Sequence, residues 1–240
     1  MCPHPPKEKL DFQSMVRDAI NKHVKTDQIL GLGSGTTVAQ LVRELGNSAY
    51  KKSIKCVATS LQIKIEAEKV GLVIMDAPQV DDVDIVFDGA DQIDANFFMI
   101  KGGGGALLRE KIVMYSAKTV VILADSSKFV DKFTRSVPIE VHPFARALVY
   151  RTLVEYGAQP KLRQSESGYP YNTENGNIIF DTWFPSVYSP ADRERELKYI
   201  PGIIEVGIFS KRADKYYEAL PNGSFRIRPF YMRKQKSTSS

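Results

Sequence analysis

The segment from residue 88 to residue 111 combines side chains that could transfer a proton next to a carbonyl group. It contains two aspartates, a lysine, four consecutive glycines and a glutamate: Asp88, Asp91, Lys101, 102–105 and Glu110. Carboxylates are suitable acids and bases, a lysine can stabilise developing negative charge, and glycines let backbone N–H groups approach an anion. If these groups converge in one cleft, they supply what proton transfer next to a carbonyl requires.

A second glycine-rich stretch, at residues 31–37, has the composition of a phosphate-binding turn. Hydroxyl side chains and the free N–H groups of a helix N-terminus attract phosphate. The residues expected to bind it are Gly33, Ser34, Gly35, Thr36 and Thr37. The stretch lacks the lysine of a P-loop and the glycine spacing of a dinucleotide-binding turn, and a plain strand-to-helix turn remains the alternative. Together, the two segments suggest an enzyme that moves a proton on a phosphorylated small molecule.

The two aspartates also have a purely structural interpretation. Asp88 and Asp91 could form an Asx turn and cap a helix. Asp88, however, directly follows the apolar run 85–87, which would place it at the exit of a strand, where functional residues are common. Residue types alone leave both interpretations open.

The glycine run and the glutamate after it have structural alternatives as well. The run could be a linker, but it stands between an apolar run and a helical pattern, which favours close backbone approach at Gly102, Gly103 and Gly104. Glu110 could instead lie on an exposed helix face, paired with Arg109 or Lys111. That alternative also stays open at this stage.

The composition is that of a globular protein and excludes several classes. The chain has 240 residues, of which 43% are hydrophobic and 25% charged, and its net charge of +5 is scattered rather than clustered. Nucleic-acid binding is therefore not expected, because such proteins concentrate basic charge on one face. No apolar run approaches the roughly 20 residues needed to span a bilayer, and the N-terminus lacks the apolar core of a signal peptide.

The cysteines and histidines argue against disulfide and metal sites. Cys2 and Cys56 form no disulfide framework, which favours a reducing, cytoplasmic setting. The three histidines are scattered in sequence, so we expect no metal site.

Apolar runs alternate with helical patterns through the first half of the chain. Strands are expected at 28–30, 54–58, 72–75, 84–87 and 119–124, and helices at 8–24, 36–45, 61–70 and 106–117. This alternation favours an α/β fold, a Rossmann-like parallel sheet with helices on both faces. Ligands bind such sheets at the carboxyl ends of the strands. Both glycine stretches, Asp88 and Lys128 each follow a predicted strand, so all are expected at the same end of one sheet.

The pattern changes after about residue 134. Residues 135–207 are expected to form a smaller inserted α+β domain, with strands at 137–141, 178–183 and 203–209 and helices at 143–156 and 190–199. Residues 1–134 and 208–231 would then form the Rossmann-like catalytic domain. The tail at 232–240 is expected to be disordered.

The motifs resemble those of the ribose-5-phosphate isomerase type A family over nearly the whole chain. The matching segments include Asp-Gly-Ala-Asp at 88–91, Lys-Gly-Gly-Gly at 101–104, Ala-Asp-x-Ser-Lys at 124–128 and Pro-Gly-Ile-Ile-Glu-Val-Gly at 201–207. The resemblance implies a cofactor-independent interconversion of ribose 5-phosphate and ribulose 5-phosphate, in the non-oxidative pentose phosphate pathway.

The resemblance also implies roles for individual residues. Glu110 would be the base that moves the proton between C1 and C2, Asp88 would assist ring opening, and Asp91 would support the hydroxyl groups. Lys101 and the glycine N–H groups would stabilise the enediolate oxygen. Lys128 and the 31–37 turn would bind the phosphate. A lysine that the family carries on its first helix falls at Gln13 here.

Two other functions compete with the isomerase. A sugar-phosphate-sensing effector domain would need the phosphate turn but neither Glu110 nor Lys101. A CoA-transferase-like enzyme would use Glu110 as a nucleophile. The expected partners are a small sugar phosphate and further copies of the chain, as a homodimer or homotetramer.

Overall fold

The computed structural model describes residues 12–76, 82–186 and 189–228. Up to residue 100 the elements are α1 (Gln13–His23), β1 (Ile29–Leu32), α2 (Gly35–Gly46), β2 (Lys55–Ala58), α3 (Leu61–Lys69), β3 (Val73–Ile74), β4 (Val83–Asp88), β5 (Gln92–Ile93) and β6 (Met99–Ile100). The later elements are α4 (Leu107–Ser116), β7 (Ala117–Asp125), β8 (Val137–Val141), α5 (Arg146–Glu155), β9 (Gln159–Leu162), β10 (Ile178–Trp183), α6 (Pro190–Lys198), β11 (Ile203–Val206), β12 (Ile208–Phe209), β13 (Lys215–Ala219) and β14 (Phe225–Arg228). Short 3-10 turns occupy 126–128 and 143–145. The tail predicted at 232–240 lies outside the described residues.

The main sheet has seven strands in the order β14-β13-β7-β4-β1-β2-β3. All neighbours pair in parallel except β13 and β14, which are antiparallel. Parallel strands joined through helices are typical of doubly wound folds. The predicted Rossmann-like α/β fold is therefore confirmed.

Successive residues of each central strand face opposite sides of this sheet. On β7, Val121 and Leu123 pack with residues of α1, α2 and α3, whereas Val120 and Ile122 pack with residues of α4. Because side chains alternate along a strand, the two apolar clusters lie on opposite faces. Of these four helices, α1, α2 and α3 pack on one face of the sheet, and α4 packs on the other. Glu110 lies on α4.

A four-stranded sheet of order β11-β8-β10-β9 is built from strands within residues 137–206, and α5 and α6 belong to the same stretch. Its pairs are antiparallel, and its apolar residues form a third core cluster. The division of the chain into two domains at 134 and 208 stays a prediction.

The prediction of a single strand at 203–209 is wrong. The segment forms two strands that belong to different sheets, β11 with β8 and β12 with β6. The break falls at Gly207, whose N–H donates to Pro138 and whose carbonyl accepts from Lys101. A Cβ at this position would lie 2.5 Å from the Lys101 carbonyl oxygen, so only glycine allows the chain to pass between the sheets here.

Five strands in the described residues had no counterpart in the sequence prediction: β5, β6, β9, β13 and β14. The β5–β6 pair has only two residues in each strand, which is too short for an alternating pattern to be recognised. Strand β9 contains a proline and polar neighbours, and it is stabilised by pairing with β10 rather than by its own composition. No helix of the described residues is long and apolar enough to cross a membrane.

Candidate active site

Five segments bring the predicted chemical groups to one cavity of about 170 Å³. Its walls are the N-terminus of α2, the turn after β4, the loop after β6, the first turn of α4 and the turn after β7. Of the predicted site residues, the following line it: Ser34, Gly35, Thr36, Thr37, Asp91, Lys101, Gly102, Gly103, Gly104, Glu110 and Lys128. Asp88 and Gly33 lie directly behind the wall, in contact with these groups.

One part of the predicted arrangement is wrong. The glycine run 102–105 does not follow a strand of the parallel sheet, because β6 belongs to a separate three-stranded antiparallel sheet of order β12-β6-β5. The run reaches the cavity because the β5–β6 hairpin returns the chain there, with the Asp91 N–H donating to the Ile100 carbonyl. The parallel sheet therefore supplies only part of the site.

Helix α4 reaches the end of β1 because residue 31 is a glycine. A Cβ on Gly31 would lie 2.4 Å from Val113 of α4. Gly31 therefore lies inside β1 and permits close packing of helix on strand, rather than binding a ligand. This packing sets the distance between the first turn of α4 and the 33–37 turn.

Asp88, Lys101 and Glu110 form a buried cluster of two carboxyl groups and one ammonium group. Each residue is at most 3% exposed. The Lys101 ammonium lies 2.9 Å from Oδ2 of Asp88 and 3.3 Å from Oε2 of Glu110, and it donates to the Gly89 carbonyl at 2.6 Å. Buried charges are stable only when paired, so Lys101 is what allows two carboxyl groups to share this site.

The two oxygens of Glu110 have different surroundings. Oε1 accepts a hydrogen bond of 2.5 Å from the hydroxyl of Ser34. Oε2 is buried and accepts no hydrogen bond from the described residues, although Lys101 is within ion-pair distance. Glu110 is therefore held in a fixed orientation by one oxygen, and the other is available to take a proton.

The cluster alters the acidity of Asp88 and of Lys101. The pKa of Asp88 is raised to about 7, mainly because burial disfavours its charge, with a further contribution from Glu110 and an opposing one from Lys101. Burial alone would lower the pKa of Lys101, but the nearby carboxylates of Asp88 and Glu110 outweigh it and raise that pKa above its ordinary value. Lys101 therefore stays charged, while Asp88 can change its protonation state near neutral pH.

Gly33 is required by the close approach of β1 to Asp88. A Cβ on Gly33 would lie 1.9 Å from Oδ1 of Asp88. The same oxygen accepts hydrogen bonds from the N–H groups of Ser34 and Gly89, at 3.3 and 2.7 Å. Gly33 thus permits the orientation of Asp88, and its role in phosphate binding stays a prediction.

The N-terminus of α2 is not capped by its own side chain. Ser34 stands at the N-cap position, but its hydroxyl donates to Glu110 instead of accepting from the helix. Ser60, at the same position of α3, does accept a hydrogen bond from the backbone of its helix. The first-turn N–H groups of α2 thus lack this side-chain acceptor, and they face a cavity that Lys128 also lines. Such an end is suited to an anion.

Asp91 lines the cavity and lies against the glycine loop. Its Oδ2 accepts from the Gly103 N–H at 2.7 Å, and Arg135 is 4.0 Å from its Oδ1. Gly89 and Ala90 also line the cavity, and the sequence analysis did not single them out. Their position between the two aspartates was the signal that could have identified them.

Gln13, at which the resemblance places a lysine of the family, does not line this cavity. Its side chain donates to Glu44 on α2 at 3.0 Å. Glu44 also pairs with Arg17, so Gln13 belongs to the contact between α1 and α2.

A larger cavity of about 600 Å³ lies beside α3 and the outer face of α4, lined by residues such as Ser60, Lys64, Met75 and Ile112. It contains none of the three clustered ionisable residues, so its size does not make it the site of proton transfer. No group of three or more His, Cys, Asp or Glu side chains within the described ranges could hold a metal ion.

Comparison with known proteins points to one family. The family model for ribose 5-phosphate isomerase A (phosphoriboisomerase A) matches residues 55–223, which is more than half of the chain. The ribose-5-phosphate isomerase A of Korarchaeum cryptofilum is 40% identical over 203 residues, covering 83% of this chain and 89% of that protein.

Solved structures agree with the sequence matches. The ribose 5-phosphate isomerase A of Methanocaldococcus jannaschii superposes with a TM-score of 0.83 at 35% identity, covering 89% of this chain and 95% of the other. A D-ribose-5-phosphate isomerase in complex with phospho-erythronic acid superposes with a TM-score of 0.84 at 36% identity and the same coverage.

Proposed function

This chain belongs to the ribose 5-phosphate isomerase A family and is an enzyme that interconverts ribose 5-phosphate and ribulose 5-phosphate, and we propose that Asp88, Lys101 and Glu110 perform its proton transfers. The observation that supports this assignment best is the buried cluster, in which one ammonium group contacts two carboxyl groups beside an uncapped helix N-terminus. Neither the family match nor the relatives described above support the effector-domain alternative.

Glu110 is the base that transfers the proton between C2 and C1. In the open-chain aldose, the C2–H bond breaks and its proton passes to Glu110. The electron pair forms the C1=C2 double bond and leaves negative charge on O1. Glu110 then returns the proton to C1, and the hydroxyl proton of O2 passes to O1, which gives the ketose. The buried Oε2 of Glu110, which accepts no hydrogen bond from the described residues, is the oxygen suited to this shuttle.

Lys101 and the glycine loop stabilise the charge that develops on the substrate oxygen. The ammonium group is fixed by Asp88 and by the Gly89 carbonyl, so it needs no rearrangement when the charge appears. The relative described above binds phospho-erythronic acid, whose carboxylate places two oxygens in one plane, as the enediolate does. The same recognition is expected of this cavity.

The phosphate binds to the N-terminus of α2 and to Lys128, which line the same cavity. Thr36 and Thr37 add hydroxyl donors there, and both line the cavity. The helix dipole of α2 and the ammonium group of Lys128 both place positive charge here, which suits a dianionic phosphate.

A direct assay tests the function. Purified chain in EDTA, with ribose 5-phosphate and no added cofactor, should form ribulose 5-phosphate, measured by the appearance of the ketose. In D₂O the product should carry solvent deuterium at C1, because a carboxylate base exchanges its proton with solvent. Binding of ribose 5-phosphate without turnover would contradict the assignment.

Asp88 assists ring opening, a step that turnover of the closed aldose requires but that proton exchange at C1 of the open ketose does not. Ribose 5-phosphate is mainly a closed furanose, whereas ribulose 5-phosphate cannot close through its phosphorylated C5 oxygen and is already open. Asp88→Asn is therefore expected to slow turnover of ribose 5-phosphate by about 10²-fold or more, as expected for loss of a general acid–base group. Enzyme-catalysed exchange of the C1 hydrogen of ribulose 5-phosphate in D₂O should fall much less.

The pH dependence of kcat/KM gives a second test of the role of Asp88. Because the pKa of Asp88 is about 7, its carboxylate form becomes dominant above neutral pH, and kcat/KM for ribose 5-phosphate should rise between about pH 6 and pH 8. Asp88→Asn should remove this rise. Equal losses of turnover and exchange, with an unchanged pH profile, would contradict the ring-opening role.

We also propose a cytoplasmic location, a place in the non-oxidative pentose phosphate pathway and a homodimeric or homotetrameric state. The segment 135–207 exposes large apolar side chains, among them Phe144 at 96% and Tyr199 at 81% exposure. Apolar groups exposed to this extent are suited to a subunit interface. Light scattering of the purified chain should give at least twice the mass of one chain, and a monomer at micromolar concentration would contradict the proposal.

A further inference from the structure

The glycine loop of the cavity is held from behind by side chains of the 163–171 segment. Nη1 of Arg163 donates to the carbonyls of Gly102 and Gly103, at 2.9 and 3.1 Å. The hydroxyl of Tyr171 donates to the Gly104 carbonyl at 3.2 Å. Three consecutive carbonyls of the loop thus have donors outside the cavity.

These contacts determine where the N–H groups of the loop point. In a trans peptide the carbonyl and the following N–H point in opposite directions, and the described residues contain no cis peptide bond. The Gly102 carbonyl faces Arg163, and the Gly103 N–H accordingly donates to Asp91 on the cavity side. In the same way, the Gly103 carbonyl accepts a hydrogen bond from Arg163, so the Gly104 N–H points in the opposite direction. Gly104 lines the cavity, and its N–H therefore points toward it.

The loop needs such support because it is made of glycine. Gly102 and Gly105 have φ values of +103° and +83°, which other residues rarely adopt. Glycine reaches these angles at no steric cost, but it also leaves the backbone free to adopt many others. External hydrogen bonds are therefore required to fix the direction of the N–H groups.

Arg163 is itself held rigidly. It follows β9, its guanidinium makes two hydrogen bonds with Asp181 at 2.9 and 2.5 Å, and its side chain is only 14% exposed. The guanidinium also lies 5.8 Å from the ring centre of Tyr171. A forked, planar donor group can satisfy a carboxylate on one side and two carbonyls on the other, which a lysine cannot do.

We propose that Arg163, fixed by Asp181 and Tyr171, is a positioning residue that aims the N–H groups of Gly103 and Gly104 at Asp91 and at the substrate oxygen that becomes negatively charged. Arg163 does not touch the substrate. This inference rests on the proposed function, since the oxygen in question is that of the enediolate.

Steady-state kinetics of Arg163→Met test the proposal. We expect kcat to fall by about 10- to 100-fold, the size of effect that a misplacement of about 1 Å produces, with KM for ribose 5-phosphate changed by less than about three-fold. The inhibition constant of phospho-erythronic acid should rise by a similar factor as kcat/KM falls. Inhibition by inorganic phosphate should be unchanged, because phosphate is proposed to bind the first-turn N–H groups of α2 and Lys128, whereas Arg163 donates to the glycine loop.

Two further variants and a control separate positioning from folding. Arg163→Lys keeps the charge but lacks the forked donors, so it should recover little activity. Asp181→Asn keeps Arg163 but weakens its hold, so kcat should fall by an intermediate factor in a variant that retains its fold. Arg151→Met makes the same change on α5, where Arg151 is largely exposed and forms a long ion pair of 3.9 Å with Glu155, and it should keep the parent's kinetics.

The outcomes distinguish this inference from the proposed function. If the parent chain and Arg151→Met do not convert ribose 5-phosphate, the proposed function is wrong. If they do, but folded Arg163→Met or Asp181→Asn keeps the parent's kcat and its inhibition by phospho-erythronic acid, the positioning role is wrong. Weaker inhibition by phospho-erythronic acid and by phosphate in equal measure would indicate general distortion of the cavity and would also overturn it.

Discussion

Glu110→Gln is expected to reduce turnover of ribose 5-phosphate by about 10²- to 10⁴-fold, the usual contribution of a general base, while substrate binding is retained. Glutamine has nearly the same shape as glutamate, and its carbonyl oxygen can still accept the hydrogen bond from Ser34. It cannot take a proton from C2. The loss should therefore appear in kcat, measured by ketose formation, and in the exchange of the C1 hydrogen of ribulose 5-phosphate in D₂O.

Glu155→Gln is the matched control for this variant. Glu155 ends α5, its side chain is 66% exposed, and its ion pair with Arg151 is long, at 3.9 Å. The same chemical change there should leave kcat unaltered. Turnover by Glu110→Gln close to that of the parent would exclude Glu110 as the base.

Lys101→Met is expected to affect both activity and stability. Removal of the ammonium group leaves the buried carboxyl groups of Asp88 and Glu110 without their shared counter-ion. Loss of one partner from a buried ion pair typically costs about 3–5 kcal/mol of unfolding free energy. Turnover should fall by about 10²- to 10³-fold, the effect of losing one donor to a developing oxyanion.

The stability loss of this variant should depend on pH. Without Lys101 the folded-state pKa of Asp88, already raised by burial, rises further. A carboxyl group with a raised folded-state pKa binds more protons in the folded chain than in the unfolded one. Stability therefore falls as pH rises between the unfolded and folded pKa values, and denaturant unfolding should show a larger deficit at pH 8 than at pH 5.

The control for this comparison is Lys118→Met. Lys118 pairs with Asp84 at 3.1 Å, but its side chain is 59% exposed, and exposed ion pairs contribute little. Its unfolding midpoint and activity should be close to those of the parent at both pH values. A stability deficit of Lys101→Met that is equal at pH 5 and pH 8 would contradict the proposed electrostatic role of Lys101.

Much of the fold could be derived from the sequence because local patterns are enough to specify it. Alternating apolar runs and helical patterns predicted a parallel sheet covered on both faces, and β1, β4 and β7 lie side by side in it. The chemical residue types were equally visible. Asp88 directly follows a buried strand, and the glycine run directly follows Lys101. Both features can be recognised from the adjacent residues of the sequence alone.

The positions that depended on distant contacts could not be derived in this way. Nothing in the pattern of 203–209 shows that the chain changes sheets at Gly207, because the reason is the nearby backbone of Lys101 and Pro138. Likewise, Gly31 and Gly33 look alike in sequence, yet one accommodates Val113 of α4 and the other Asp88.

The sequence by itself determined which groups could do chemistry in this protein, and tertiary structure alone decided how they act together. The sequence predicts that Ser34 binds phosphate, but it does not show that the hydroxyl of Ser34 also contacts Glu110, 76 residues away in the chain. Asp88 owes its raised pKa to burial and to Glu110, and the glycine loop owes its direction to Arg163, 60 residues or more away in the chain. Acidity and backbone direction depend on what surrounds a group in space, and for these residues the surroundings come from remote segments.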